Sequence, residues 1–80
     1  MKIGIYLVDL AVVKSAGAPE EREKTWAKVA WPDARDGVER VRSAADRAAK
    51  RKGQRLNAIS IRITDVRRVK TIGANKGGEG

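Results

Sequence analysis

The sequence has no cysteine and no histidine. That removes the disulfide staple, the thiolate and imidazole ligands of most transition-metal sites, the commonest nucleophile and the commonest general base. Catalysis would have to rest on carboxylates, lysines or Tyr6. The C-terminal GANKGGEG combines lysine with glycines but lacks the Gly-Lys-Ser/Thr ending and the following helix of a phosphate loop. No apolar run approaches the roughly 18 residues of a membrane-spanning helix. The run from Ile3 to Val13 follows Lys2 and precedes Ala16-Gly17-Ala18, which imitates a secretory leader. Asp9 in its middle, the single preceding lysine and the β-branched residues favour a strand instead, and a soluble chain of the bacterial cytoplasm is expected. These absences point away from enzymes, cofactors, metals and membranes, and towards binding.

What is present is a chain of 80 residues with 41% hydrophobic content, enough for one modest core, since a chain this short buries only about 60% of its unfolded surface. Oligomerisation is the remaining way to supplement such a core. The net charge is +8, and it is local. Residues 50–70 hold eight basic groups and one acid, residues 1–49 hold nine and eight, and the last ten cancel. A positive field of that kind favours polyanionic partners or an acidic protein surface.

From Lys2 to Lys14 apolar residues fill both alternation phases, with Ile3, Ile5, Leu7, Ala11 and Val13 on one side and Tyr6, Val8, Leu10 and Val12 on the other. A strand of this kind is central or covered on both faces. Asp9 interrupts the first set and predicts a bulge, a strand end or a basic partner. Ser15 to Lys24 contains Gly17, Pro19 and the charged run Glu20, Glu21, Arg22, Glu23, and reads as a flexible connection with room for one helical turn from Pro19. Thr25 to Trp31 reads as a second strand, stopped by Pro32. From Asp33 to Lys52 small apolar residues recur at helical spacing (Ala34, Gly37, Val38, Val41, Ala44, Ala45, Ala48, Ala49), with Asp33 as cap, Asp36 in support and Gly53 as the stop. Leu56 to Thr64 alternates as a third strand, with Ile59, Ile61 and Ile63 inward and Ser60, Arg62 and Thr64 outward. After Asp65 the phase breaks at Val66, Val69 and Ile72, which predicts a bulge or an irregular extension. Residues 1–72 then form a single domain, and 73–80 a flexible Gly-rich tail.

The element order predicts an α+β fold: a three-stranded antiparallel sheet of order 2-1-3, with one helix packed on one face. The other face, expected to carry Tyr6, Val8, Leu10, Trp26, Lys28 and Arg62, is left open for a partner or a second copy. The basic cluster Lys50, Arg51, Lys52, Arg55, Arg62, Arg67, Arg68 and Lys70 is the strongest functional signal. Part of it sits at a helix C-terminus, where cations are expected in any case. Its arginines suit phosphate or carboxylate recognition, and Trp26 and Tyr6 beside Arg62 would offer stacking platforms for bases. Asp9 and Asp65 could approach across neighbouring strands and hold Mg²⁺, or pair with Arg67 or Arg68, which the composition favours.

The layout from KIGIYLVDL through TWAKVAW and the DARDGVERV helix to AISIRIT, with concentrated charge and no catalytic set, resembles the small anti-CRISPR proteins of phages and mobile elements. The resemblance covers residues 1–72 and carries no motif, so no functional residue is transferred by it. It implies a non-enzymatic inhibitor that binds a Cas effector complex of the type I Cascade kind stoichiometrically and blocks target DNA binding. Many such inhibitors are acidic DNA mimics. A basic chain would instead engage an acidic protein patch, the guide RNA or the DNA. The alternatives are an autonomous DNA- or RNA-binding protein, from the basic charge, and a homodimeric interaction module that uses the open sheet face and makes the charge incidental.

Overall fold

β1 (Lys2–Val13) takes the centre of the sheet because both of its faces are apolar. It is flanked antiparallel by β2 (Glu21–Pro32) on one side and β3 (Ser60–Gly73) on the other. The helix α1 (Gly37–Leu56) connects β2 to β3 and covers one face, so the computed structural model, which describes residues 2–73, has the expected α+β topology of order 2-1-3. No helix among the described residues is long and apolar enough to cross a membrane.

Which face of β1 the helix covers reverses the expectation. Tyr6, Val8 and Leu10 lie beneath α1 at 0–1% exposure, packed with Val12, Val41, Ala45, Ala49, Ile63 and Val66. The uncovered face instead carries Ile3, Ile5 and Leu7, all half-buried. Asp9 is the physical reason. It lies in phase with Ile3, Ile5 and Leu7, so covering that set would bury a carboxylate, whereas the Tyr6 set has no charge to desolvate.

Asp9 also produces the expected irregularity. Val8 pairs with Ala27 and Leu10 with Glu23, so Asp9 alone spans the gap opposite Lys24, Thr25 and Trp26. Its carboxylate accepts the N–H of Thr25 at 2.8 Å, and Thr25 takes a left-handed φ of 51°. Beyond this bulge β2 continues as a ladder, so Glu21 to Lys24 are strand rather than flexible connection, and no helical turn begins at Pro19. The turn is confined to residues 14–20, where Gly17 adopts φ 78°. On β3 the predicted phase break appears as two register shifts, one opposite Asp9/Leu10 and one opposite Ile5/Tyr6. Ile61 and Ile63 face inward opposite Val12 and Leu10, but Ile59 precedes the strand and is 60% exposed.

The helix sits later than its sequence signals. Asp33 is not the cap: its N–H donates to the Lys2 carbonyl at 2.9 Å, and its carboxylate accepts from Arg68. Asp36 occupies the cap position without a capping bond, its carboxylate being held by Arg40 Nε at 2.6 Å. Gly53 lies inside the helix and is buried, and the left-handed stop is Asn57 at φ 53°. The buried line Gly37, Val41, Ala45, Ala49, Gly53 has small residues throughout, so α1 lies close to the sheet. It packs chiefly on β3 and β1 and least on β2. Gly73 ends β3 opposite Lys2, and the predicted tail from residue 74 onward lies outside the described residues.

Candidate polyanion-binding surface

Between Asp46 and Asp65 the chain has no acidic residue, and the second half of α1 exposes Arg47, Lys50, Arg51 and Arg55, with Lys52 half-buried. Because α1 leans towards β3, its other flank stands over a gutter against β2. In that gutter Trp26, Ala48, Arg51, Lys52 and Arg55 line a hollow of about 290 Å³. Trp26 reaches it because the irregularity at Thr25 takes the indole out of the alternation and brings it against the core under the helix, not onto the open face with Lys28. Nearer the helix start, Trp31 shares a second hollow of about 410 Å³ with Asp36, Glu39, Arg40, Ser43 and Arg47. Two carboxylates make that half less positive than the C-terminal half.

None of Arg47, Lys50, Arg51, Lys52 and Arg55 forms an ion pair among the described residues. The helix dipole accounts for cations in the last turn, where Arg55 lies, but its influence falls off within that turn. Arg47 and Arg51 lie beyond it. Arg47, Arg51 and Arg55 recur at i, i+4, so neighbouring like charges repel and lower helix stability. At 1.5 Å rise per residue they are spaced about 6 Å apart along the axis, a positive row with an aromatic plane beside it.

The remaining members of the predicted basic cluster are dispersed. Lys50 lies on the other flank of α1, in a hollow with Gly53, Gln54, Asn57 and Ile61. Arg62 does point to the open face, opposite Ala11, but Glu20 binds it at 3.1 Å and also binds Arg22 at 3.4 Å. That bridge spans Ala11, which is 1% exposed despite lying on the uncovered face. Arg67 sits between Asp9 and Asp65, at 3.1 and 2.8 Å, so the two opposed carboxylates share its guanidinium. The Thr25 N–H, followed by Arg67, holds the Asp9 carboxyl below its ordinary value. Arg68 lies on the helix side opposite Tyr6 and pairs with Asp33. Lys70 and Lys28 flank the open apolar strip, opposite Ile5 and Leu7. Tyr6, Val8 and Leu10, expected as a partner face, are core and cannot contact a partner. Among the described residues no group of three or more carboxylates is arranged so that it could hold a metal ion.

Arg47 was absent from the predicted cluster. Its signal was legible: it stands four residues before Arg51 and opens the acid-free stretch. The company Trp26 keeps was not legible, because it depends on an irregularity set by a residue of another strand. Comparison with protein-family models, curated proteins and solved structures finds no match to this chain.

Proposed function

We propose that the protein is a non-enzymatic binding protein that grips nucleic acid, free or carried in a nucleoprotein complex, with the second half of α1 and Trp26. The observation that carries this reading is that Arg51, Lys52 and Arg55 line one hollow with the Trp26 indole and, like Arg47 one turn before them, have no ion-pair partners among the described residues. Guanidinium forks bind phosphate oxygens, and an aromatic plane stacks any base. The narrower form of the proposal follows from the resemblance to anti-CRISPR proteins. There the chain binds a Cas effector complex and blocks target DNA binding by covering RNA or DNA the complex must use.

The test is a tryptophan-fluorescence and gel-shift titration with single- and double-stranded oligonucleotides. If four cations contact phosphates, affinity falls about 50-fold for single strands and about 150-fold for duplex between 50 and 200 mM salt. Arg51→Glu with Arg55→Glu should abolish binding while circular dichroism stays native. Full retention, or a flat salt response, refutes the reading. Capture from bacterial lysate with and without nuclease then separates free nucleic acid from a defined nucleoprotein.

A second reading, self-association through the open face, is favoured by one observation: Ile3, Ile5 and Leu7 form a half-buried strip with no element over it among the described residues. Sedimentation over a concentration series tests it. A monomer at every concentration removes it.

A further inference from the structure

The start of α1 leaves polar groups without partners in a place no sequence motif marks. An α-helix cannot satisfy its own first N–H groups. Here the cap residue Asp36 turns its carboxylate to Arg40, and at the first position the Gly37 N–H donates to the Ala34 carbonyl at 3.1 Å. The N–H groups of Val38 and Glu39 have no acceptor among the described residues. Directly beneath lies Tyr6. Its ring rises from β1 against Gly4, and its hydroxyl ends against Gly37, so close that a Cβ there would stand 2.0 Å from Oη. Tyr6 is 1% exposed, and its hydroxyl has no hydrogen-bond partner among the described residues. A buried hydroxyl left unpaired is costly, so the position calls for a polar occupant.

Tyr6 is the buried wall of a cavity of about 370 Å³ whose other walls are Ala34, Arg35, Val38 and Arg68. That volume holds several water molecules. Arg35 forms no ion pair among the described residues, and Arg68 is shared with Asp33. Two guanidiniums against one carboxylate, with the positive end of the helix dipole, make the cavity electropositive.

We propose that this cavity is an oxyanion site taking one phosphate group, held by the Tyr6 hydroxyl, the Val38 N–H, Arg35 and Arg68. The hydroxyl donates to a phosphate oxygen, the backbone N–H donates to another, and the guanidiniums balance the charge. It lies at the opposite end of α1 from the basic row, and does not depend on that row binding nucleic acid. The phosphate has two sources, a free phosphate ion or the terminal phosphate of a nucleic-acid strand.

The test is a titration of the full chain with inorganic phosphate in a phosphate-free buffer, followed by amide NMR. Shifts concentrated at Arg35, Gly37, Val38 and Glu39 are expected. Tyr6→Phe should weaken the apparent affinity roughly tenfold or more, the loss of one hydrogen bond to a charged group, while the thermal midpoint holds or rises. Asp33→Asn, which frees Arg68, should tighten it. In a parallel arm, oligonucleotides of one sequence with a 5′-phosphate or a 5′-hydroxyl are compared. A preference for the phosphate that Tyr6→Phe removes assigns the site to strand ends. Equal binding of the two, with free phosphate still shifting Val38, assigns it to the free ion. The proposal is overturned if neither probe shifts the α1 start, if the shifts fall only on Arg47 to Arg55, or if Tyr6→Phe and Asp33→Asn leave both affinities unchanged, in which case water alone fills the cavity.

Discussion

Alanine in place of glycine should have different effects at the two ends of α1, and the difference measures how closely the helix is seated. At Gly37 the new Cβ would stand 2.0 Å from Tyr6 Oη and 3.0 Å from Cζ. The phenol cannot retreat, because it is 1% exposed and lies against Gly4 on its other side. At Gly53 the new Cβ would meet only Ile61, at 2.8 Å from Cγ2 and 3.6 Å from Cβ, and the methyl of a half-buried side chain can rotate away. Both changes bring the helix-propensity gain of alanine over glycine, up to about 1 kcal/mol in a helix interior and less at the first position. Overpacking a fixed neighbour costs about 1–3 kcal/mol. Gly37→Ala should therefore lose about 1–2 kcal/mol net, lowering the thermal midpoint by roughly 5–15 °C for a domain of this size. Gly53→Ala should stay within about 1 kcal/mol of the parent, in either direction. Urea and thermal unfolding followed by circular dichroism read both. The decisive measurement is the double variant: in a Tyr6→Phe background the 2.0 Å contact is gone, and the cost of Gly37→Ala should fall by more than half. If Gly37→Ala stabilises the protein, or costs the same with Phe as with Tyr at position 6, the helix does not sit where these distances place it.

Val8→Lys should abolish cooperative unfolding, because Val8 is fully buried beneath α1, whereas Leu7→Lys on the open face should keep a native circular dichroism spectrum and reduce any self-association in sedimentation. The Asp9 carboxyl is held below its ordinary value in the fold by the Thr25 N–H and then Arg67, so the stability it contributes is fully present above the unfolded carboxylate value near 3.9. That contribution is lost as pH falls through the lowered folded value, and urea midpoints taken down to about pH 2 should decline less steeply in Asp9→Asn than in the parent. Trp26→Ala should weaken single-strand binding by one stacked base, about 1–3 kcal/mol, and one of the two indole signals should cease to respond to oligonucleotide.

The topology was legible because it rests on features that travel with the strand or helix itself. β1 is apolar in both phases, Pro32 ends β2, and a small-residue stripe runs down α1. Each of these forces a local outcome whatever surrounds it. The element ends were not, since they depend on partners. Asp33 looks like a helix cap until Arg68, 35 residues away, takes its carboxylate. Gly53 looks like a helix stop until Ile61 is found against it, where its missing side chain serves packing instead of a turn. Glu21, Arg22 and Glu23 look like loop residues, yet opposite Val12, Ala11 and Leu10 they complete a ladder at the end of β2 where side chains on both faces are exposed and charge is tolerated.

The site divides along the same line. A cation is visible in a sequence, but whether it is free is a property of its neighbours. Arg62, Arg67 and Arg68 are spent on Glu20, on Asp9 with Asp65, and on Asp33, acids between 2 and 58 positions away. Three of these pairs tie β3 to residues that precede α1, so that the arginines of β3 hold the sheet and the helix entry together. The acids left unpaired among the described residues are Glu23 on β2 and Glu39 and Asp46 on α1 ahead of Arg47, and no acid follows Asp46 before Asp65. Charge that the fold consumes therefore gathers on β3, and unconsumed charge gathers on the second half of α1. Arg47, Arg51 and Arg55 repel one another and form no ion pair among the described residues, and under the proposed function an external anion would balance them.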